Sequence, residues 1–321
     1  METGRTGRAG VGLALVSAAT FGTSGAFAGS LLQAGWTPGS AVTVRVCLAA
    51  LVLTGPGLYL LRGRRGQVRR SAGTLAAYGI VAVAGAQLCY FYAVAHLPVA
   101  VALLLEYSGV LLVVLWLWVR HDQRPRRLTV AGAVVSLVGL VLVLDLFSGG
   151  GLDLVGVLWG LGAASGLATY FVLSASTENP LPPLVVAWGG LVIGGVVLLA
   201  AGATGLLPHA APRTDVVLLG HRTSWVVPVL GLSLVAAVIA YTSGIVGARL
   251  LGAKLASFVG LTEVLFAVLF AWLLLGQVLA LVQLLGAVLV VGGIVLVRVD
   301  EIRDPTSAQV LQDSPVLEPL G

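Results

Sequence analysis

The sequence predicts an all-α polytopic membrane protein with ten transmembrane helices in two inverted five-helix repeats, and three observations carry that expectation. Charged residues make up 10% of the 321-residue chain, apolar residues 58%, and mean hydropathy is +1.04. A soluble domain carries about 25% charge, and no soluble core could hide this much apolar surface. Ten stretches each approach the roughly 20 apolar residues that a bilayer crossing requires. Finally, residues 132–143, GAVVSLVGLVLV, recur 154 positions later at 286–297 as GAVLVVGGIVLV, with seven identities in twelve.

The predicted spans are 10–32, 41–61, 72–95, 98–119, 128–147, 154–175, 183–203, 225–247, 253–275 and 278–297. Spans one and six share small-residue cores, with Gly22 and Gly166 at similar positions. Span two follows Pro38 and contains Arg45. Short linkers at Leu97 to Pro98 and Gly276 to Gln277 make spans three and four, and nine and ten, tight hairpins. Spans four and nine each carry one acid and end in similar apolar, Trp-containing runs, Leu111 to Trp118 and Phe266 to Leu275. Spans five and ten hold the recurring segment. Five helices separate the copies, and an odd separation reverses direction, so the two halves face opposite ways. The domain boundaries that follow are an N-terminus at 1–9, a first repeat at 10–147, a second at 148–298, and a Pro-containing acidic tail at 299–321 expected to be disordered.

Arginine and lysine set the orientation. Fifteen of the eighteen basic residues lie on one side or at its boundary, in the N-terminus, the 62–70 and 120–127 loops, and at Arg249, Lys254, Arg298 and Arg303. Arg213 and Arg222 lie opposite. Both termini are therefore expected in the cytoplasm. The arginine-rich 62–70 loop is expected to meet anionic lipid, not nucleic acid.

Inverted repeats point to alternating access, in which exchanging the conformations of two similar halves moves a cavity from one side to the other. The glycine pairs 132/139 and 286/293 lie seven apart on one helix face and read as scaffold for close helix packing. Ionised groups within spans are costly and usually line a cavity or pair, which singles out Arg45, Glu106 and Glu263. At about 1.5 Å per residue, Arg45 and Glu106 fall at similar depths, roughly 8–12 Å below the external boundary. They are expected either to lock helices together as a salt bridge or to line the substrate path. Glu263 has no basic partner at its depth, since Lys254 is nine residues toward the cytoplasmic end, and it is a candidate proton-coupling group. Gln87, Tyr90, Tyr107, Tyr170 and Tyr241 supply polar groups for the cavity wall, and Trp188 a surface for an apolar substrate moiety.

Cys47 and Cys89 sit in apolar stretches without metal-ligand spacing, and the four histidines are scattered. No phosphate-binding loop or hydrolase motif occurs. No enzyme activity, cofactor or metal is expected; the partners expected are a small-molecule substrate, protons and membrane lipids, with the protein a monomer or homodimer.

These spans, with Arg45 following Pro38, LPVAVALLLEYSGVLLVVLWLW in span four and AKLASFVGLTEVLFAVLFAWLLLGQVLALVQLLGAVLVVGGIVLV at the end, resemble the drug/metabolite transporter superfamily, in particular its EamA-type branch. The resemblance covers residues 10–298. It implies a ten-helix carrier in the plasma (inner) membrane of a bacterium, with a central cavity and peripheral spans five and ten. Span four's LLLEYSG is similar to amino-acid exporters, so export of a small metabolite such as an amino acid is expected; a channel or facilitator, or a non-transporting scaffold, are the alternatives. The proline common in the middle of spans four and nine is replaced by Gly109 and Val264, which puts a helix break there in doubt. The acid that often ends span nine is Gln277.

Overall fold

A computed structural model describes residues 2–97, 99–143, 153–176, 179–218, 220–275 and 281–303. The hairpin turns at Pro98 and Gly276 to Gln277, and the tail beyond 303, lie outside the described residues. The chain is helical almost throughout, as a backbone in hydrocarbon must pair its own N–H and C=O groups. Seven helical stretches among the described residues are long and apolar enough to cross a membrane, so the fold is an all-α polytopic membrane fold.

In chain order the helices are α1 (Glu2–Gly22), α2 (Ser24–Gln33), α3 (Pro38–Leu61), α4 (Arg65–Arg70), α5 (Ala72–Ala77), a first π segment (Tyr78–Gly85), α6 (Ala86–His96), α7 (Val99–Tyr107), α8 (Gly109–His121), α9 (Arg127–Val143), α10 (Leu154–Ala175) and α11 (Pro183–Ala203). After a small antiparallel hairpin, β1 (Val216–Leu218) and β2 (His221–Thr223), come α12 (Val226–Leu230), a second π segment (Gly231–Ile239), α13 (Ala240–Leu251), α14 (Ala253–Gly260), α15 (Thr262–Leu275) and α16 (Leu281–Ile302). The hairpin is absent from the sequence reading. Its connecting loop wraps the turn before α3: the Trp36 indole N–H donates to Pro212 (2.9 Å) and the Thr37 N–H to Ala210 (2.9 Å).

Several predicted spans are interrupted, and the interruptions recur. Tyr78 and Gly231, which open the two π segments, are 153 residues apart; so are Ser108 and Leu261, which divide α7 from α8 and α14 from α15. At Ser108 and Leu261 the ladder tightens to three-residue spacing: Leu111 N–H donates to Ser108 (2.9 Å) and Val264 N–H to Leu261 (3.2 Å). The helices therefore break without the proline whose absence put that break in doubt. The first π segment has a local cause. A Cβ on Gly85 would stand 2.8 Å from the Ile80 carbonyl, so the widened turn needs glycine there.

The two segments that share the recurring sequence pack against each other. A Cβ on Gly132 would meet the Gly293 carbonyl at 2.7 Å, and one on Gly139 the Gly286 carbonyl at 2.7 Å. As one glycine number rises its partner's falls, so α9 and α16 run antiparallel, in contact along glycine faces. At one end of this pair the Thr129 hydroxyl donates to the buried Asp300 carboxylate. That contact carries α16 on to Ile302, beyond the end predicted at 297 and into the segment expected to be tail.

The remaining contacts come in matched sets. α1 packs on α13 and α10 on α6; α1 on α15 and α10 on α7 and α8; α11 on the first π segment and α3 on the second. α3 and α11 pack on each other. The largest core cluster spans these elements, with Val46 and Leu53 of α3, Tyr78 and Val83 of the first π segment, and Leu191 and Leu198 of α11. Overpacking a core of this kind costs about 1–3 kcal/mol. Gly139→Val is therefore expected to lower stability by about that amount, measured by denaturant unfolding in detergent; G12V, where a Cβ meets nothing within 4 Å, is expected to change little.

Candidate functional site

A cavity of about 590 Å³ lies between α1 and α2, α3, the first π segment with α6, α7, α10, the second π segment with α13, and α14 with α15. Among the described residues, neither α9 nor α16 contributes to its lining. This matches the peripheral place that the resemblance implied for spans five and ten. Toward the turn between α2 and α3 it is lined by Gly25, Gly29, Leu32 and Pro38, of which Gly25 and Leu32 are exposed. Elsewhere on its wall the rings of Phe21, Tyr170 and Tyr241 meet edge to face, with centroids 5.1 to 6.4 Å apart.

Of the nine residues expected at a site, Arg45, Gln87, Tyr90, Glu106, Tyr107, Tyr170, Tyr241 and Glu263 all line this cavity. Trp188 does not, and among the described residues α11 supplies none of the lining, so the indole expected to meet an apolar substrate moiety lies outside this cavity. The cause is local packing. Gly57 leaves a gap on α3 that the indole fills, a Cβ there standing 2.7 Å from the ring, and Nε1 donates to the Thr54 hydroxyl at 3.1 Å.

Arg45 is 7% exposed. Its Nη2 donates to the carbonyl of Ala236 (2.5 Å), within the second π segment, and its guanidinium lies 5.6 Å from the centroid of the Phe21 ring. A π segment abandons the four-residue ladder, and here a side-chain donor takes up one of its carbonyls. No ion pair within 4.0 Å joins Arg45 to Glu106, so of the two alternatives expected of them the helix-locking salt bridge is not formed, while both line the cavity. Both carboxyls, Glu106 and Glu263, nevertheless lie within electrostatic reach of the guanidinium across the cavity. Glu263 has the Tyr107 hydroxyl within electrostatic reach. Its carboxyl is therefore less isolated than its spacing from Lys254 suggested.

Sequence reasoning missed the aromatic lining residues Phe21, Phe91 and Phe171. A phenylalanine in an apolar span carries no signal of its own, and only the Arg45 contact distinguishes Phe21. Among the described residues no group of three or more His, Cys, Asp and Glu side chains is placed to hold a metal.

Outside the cavity, the His96 ring Nδ1 lies 2.9 Å from the Asp153 carboxylate, which also accepts from the Val155 N–H at 2.9 Å as the N-cap of α10. That N–H, aided by the His96 ring, holds the Asp153 carboxyl below its ordinary range.

With this geometry in place, the family is defined. A profile of the EamA-like transporter family matches residues 8–145 and again 154–299. The chain belongs to that family, within the drug/metabolite transporter superfamily, and is a membrane transporter and not an enzyme. A Salmonella typhimurium protein described as uncharacterized inner membrane transporter YicL is 23% identical over 303 residues, covering 92% of this chain and 96% of its own. A solved crystal structure superposes with a TM-score of 0.74 at 20% identity, over 92% of this chain and 99% of its own, which shows the same fold.

Two outcomes follow from these contacts. Losing a hydrogen bond to a charged group costs about 1.5–3 kcal/mol, so R45A is expected to lower the melting temperature in detergent, and R45E/E106R not to restore it, because a carboxylate at position 45 cannot donate to Ala236. At Asp153 the lowered native value makes the carboxylate's contribution complete above the ordinary aspartate range and lost as pH falls through that native value. The stability advantage of wild type over D153N is expected to follow that course in melts across pH.

Proposed function

We infer that the protein is a secondary transporter that exports a small metabolite, such as an amino acid, by alternating access between two inverted five-helix halves. The observation that carries this reading is the cavity. It places Arg45, Glu106 and Glu263 around about 590 Å³ inside a fold whose α9 and α16 run antiparallel, and pockets of about 300–1,000 Å³ suit small organic ligands. The matched helix contacts and the interruptions repeating after 153 residues support ten crossings in two equivalent halves. The double match to the family profile supports the same division.

On this reading the arginine-rich loops and both termini face the cytoplasm, in a bacterial inner membrane like that named for the Salmonella relative. The cavity then opens to the outside. Glu106 presents a carboxylate to the ammonium of a substrate, Arg45 adds a positive potential for its carboxylate, and the aromatic wall packs its side chain. Gln87 and the hydroxyls of Tyr90, Tyr107, Tyr170 and Tyr241 add polar contacts. Glu263, on the same wall as Tyr107, carries the coupling proton.

Reconstitution into liposomes with a panel of labelled amino acids and cationic dyes, with and without a pH gradient, tests the proposal. Saturable flux with counter-flow is expected; flux that does not saturate and shows no counter-flow identifies a channel instead. Loss of one charge-assisted hydrogen bond lowers substrate stabilisation about tenfold or more, so E106Q is expected to cut the initial rate by at least that factor. E263Q is expected to retain counter-flow while losing its response to the pH gradient.

A further inference from the structure

Away from the turn between α2 and α3, the cavity wall carries Phe21, Tyr170 and Tyr241 together with Ala14, Ser17 and Gly244. Behind these rings Tyr78 is fully buried, its ring centroid 5.9 Å from that of Tyr170. The ring sits against Gly190, where a Cβ would collide with it. Tyr78 opens the first π segment as Gly231 opens the second, and Gly190 is the eighth residue of α11 as Arg45 is of α3. The contact between α11 and the first π segment is thus the counterpart of that between α3 and the second. The occupants differ: on one side a tyrosine ring is pressed on glycine, and on the other Arg45 reaches to Ala236 beside the cavity.

A separate observation concerns polar groups. Behind Tyr78, its hydroxyl lies 3.4 Å from the fully buried Ser174 hydroxyl, and the Arg249 guanidinium is within electrostatic reach. Arg249 Nε and Nη2 are buried with no acceptor among the described residues. Arg249 is half-buried as a residue, and leaving two enclosed nitrogens of its guanidinium without an acceptor is costly. Water reaching it in another conformation supplies one.

We propose that Tyr78 is the gate of the closed, cytoplasmic side. Its ring leaves Gly190 when the carrier turns inward, and Ser174 and Arg249 then face water. The proposal rests on the alternating-access reading above, and it makes closure depend on the fit of one ring to one glycine.

The test uses C47S/C89S protein in liposomes, with S174C or L32C as a reporter of the closed or the open side, and measures labelling by a maleimide. Y78A and G190V are each expected to raise labelling of S174C roughly tenfold, a shift within the usual range of conformational coupling, and to lower that of L32C. Y78F, which keeps the ring, is expected to leave both rates near their starting values. Unchanged S174C labelling in folded, monodisperse Y78A and G190V overturns the gate, as does a rise at 174 without a fall at 32, which makes the ring a passive plug. Saturable flux in the wild type is measured alongside. Flux with unchanged labelling rejects the gate and keeps the carrier, whereas absent flux rejects the carrier itself, and with it the gate.

Discussion

A backbone immersed in hydrocarbon has no water to pair with, so every departure from regular helix must be compensated within the protein. The rest of this structure depends on where those departures are placed. They gather around the cavity: the π segments at Tyr78–Gly85 and Gly231–Ile239 and the tightened turns at Ser108 and Leu261 all belong to elements that line it. Side chains then answer backbone carbonyls. Arg45 donates to Ala236, and the Ser17 hydroxyl donates to Ala240 at 2.8 Å. Away from the cavity, α9 and α16 need no such devices. Regular helix and glycine faces let their backbones touch, and dispersion and shape fit hold them together.

This division explains why the recurring sequence lies where it does. A glycine facing a carbonyl at 2.7 Å tolerates no other side chain without movement, so both copies of the scaffold segment are held to the same residues. The cavity wall has no equivalent restriction. Counting 153 residues on from Glu106 leads to Val259, and 153 back from Glu263 to Val110, both buried apolar residues. The two acids therefore come from non-equivalent positions of similar helices, one just before an interruption and the other just after. A chain built from two like halves has acquired an unlike pair of charges at its centre.

Much of the fold was legible because apolar length and the repeated segment are one-dimensional signals. The eight cavity residues were legible for a related reason: polar groups in spans are expensive, so their presence marks a water-accessible or paired environment. Trp188 was misplaced because its role depends on the absence of a side chain at Gly57, three residues past its hydrogen-bond partner Thr54, in a different helix. The partner of Arg45 was illegible for a comparable reason. Depth along the helix placed Glu106 beside it, but the acceptor is a main-chain carbonyl exposed by a change of helical type. Nothing in the letters around Ala236 announces that change. The β-hairpin after α11 is short and solvent-facing, and its alternation covers too few residues to stand out.

The charge balance within the cavity completes the account. Two carboxyls and one guanidinium share a space of about 590 Å³, and opposite charges at such separations attract far more strongly than in water. Had Arg45 closed on Glu106, the pair would neutralise each other and leave little for a solute to displace. Because the guanidinium is instead held by Ala236 and Phe21, Glu106 has no ion-pair partner in direct contact among the described residues. Under the proposed function, a substrate ammonium supplies that partner, and the fixed positions of Arg45 and Glu263 keep the neutralisation partial. A site that neutralised its ligand completely would bind it tightly and release it slowly, whereas a carrier needs affinity that a change of conformation can undo.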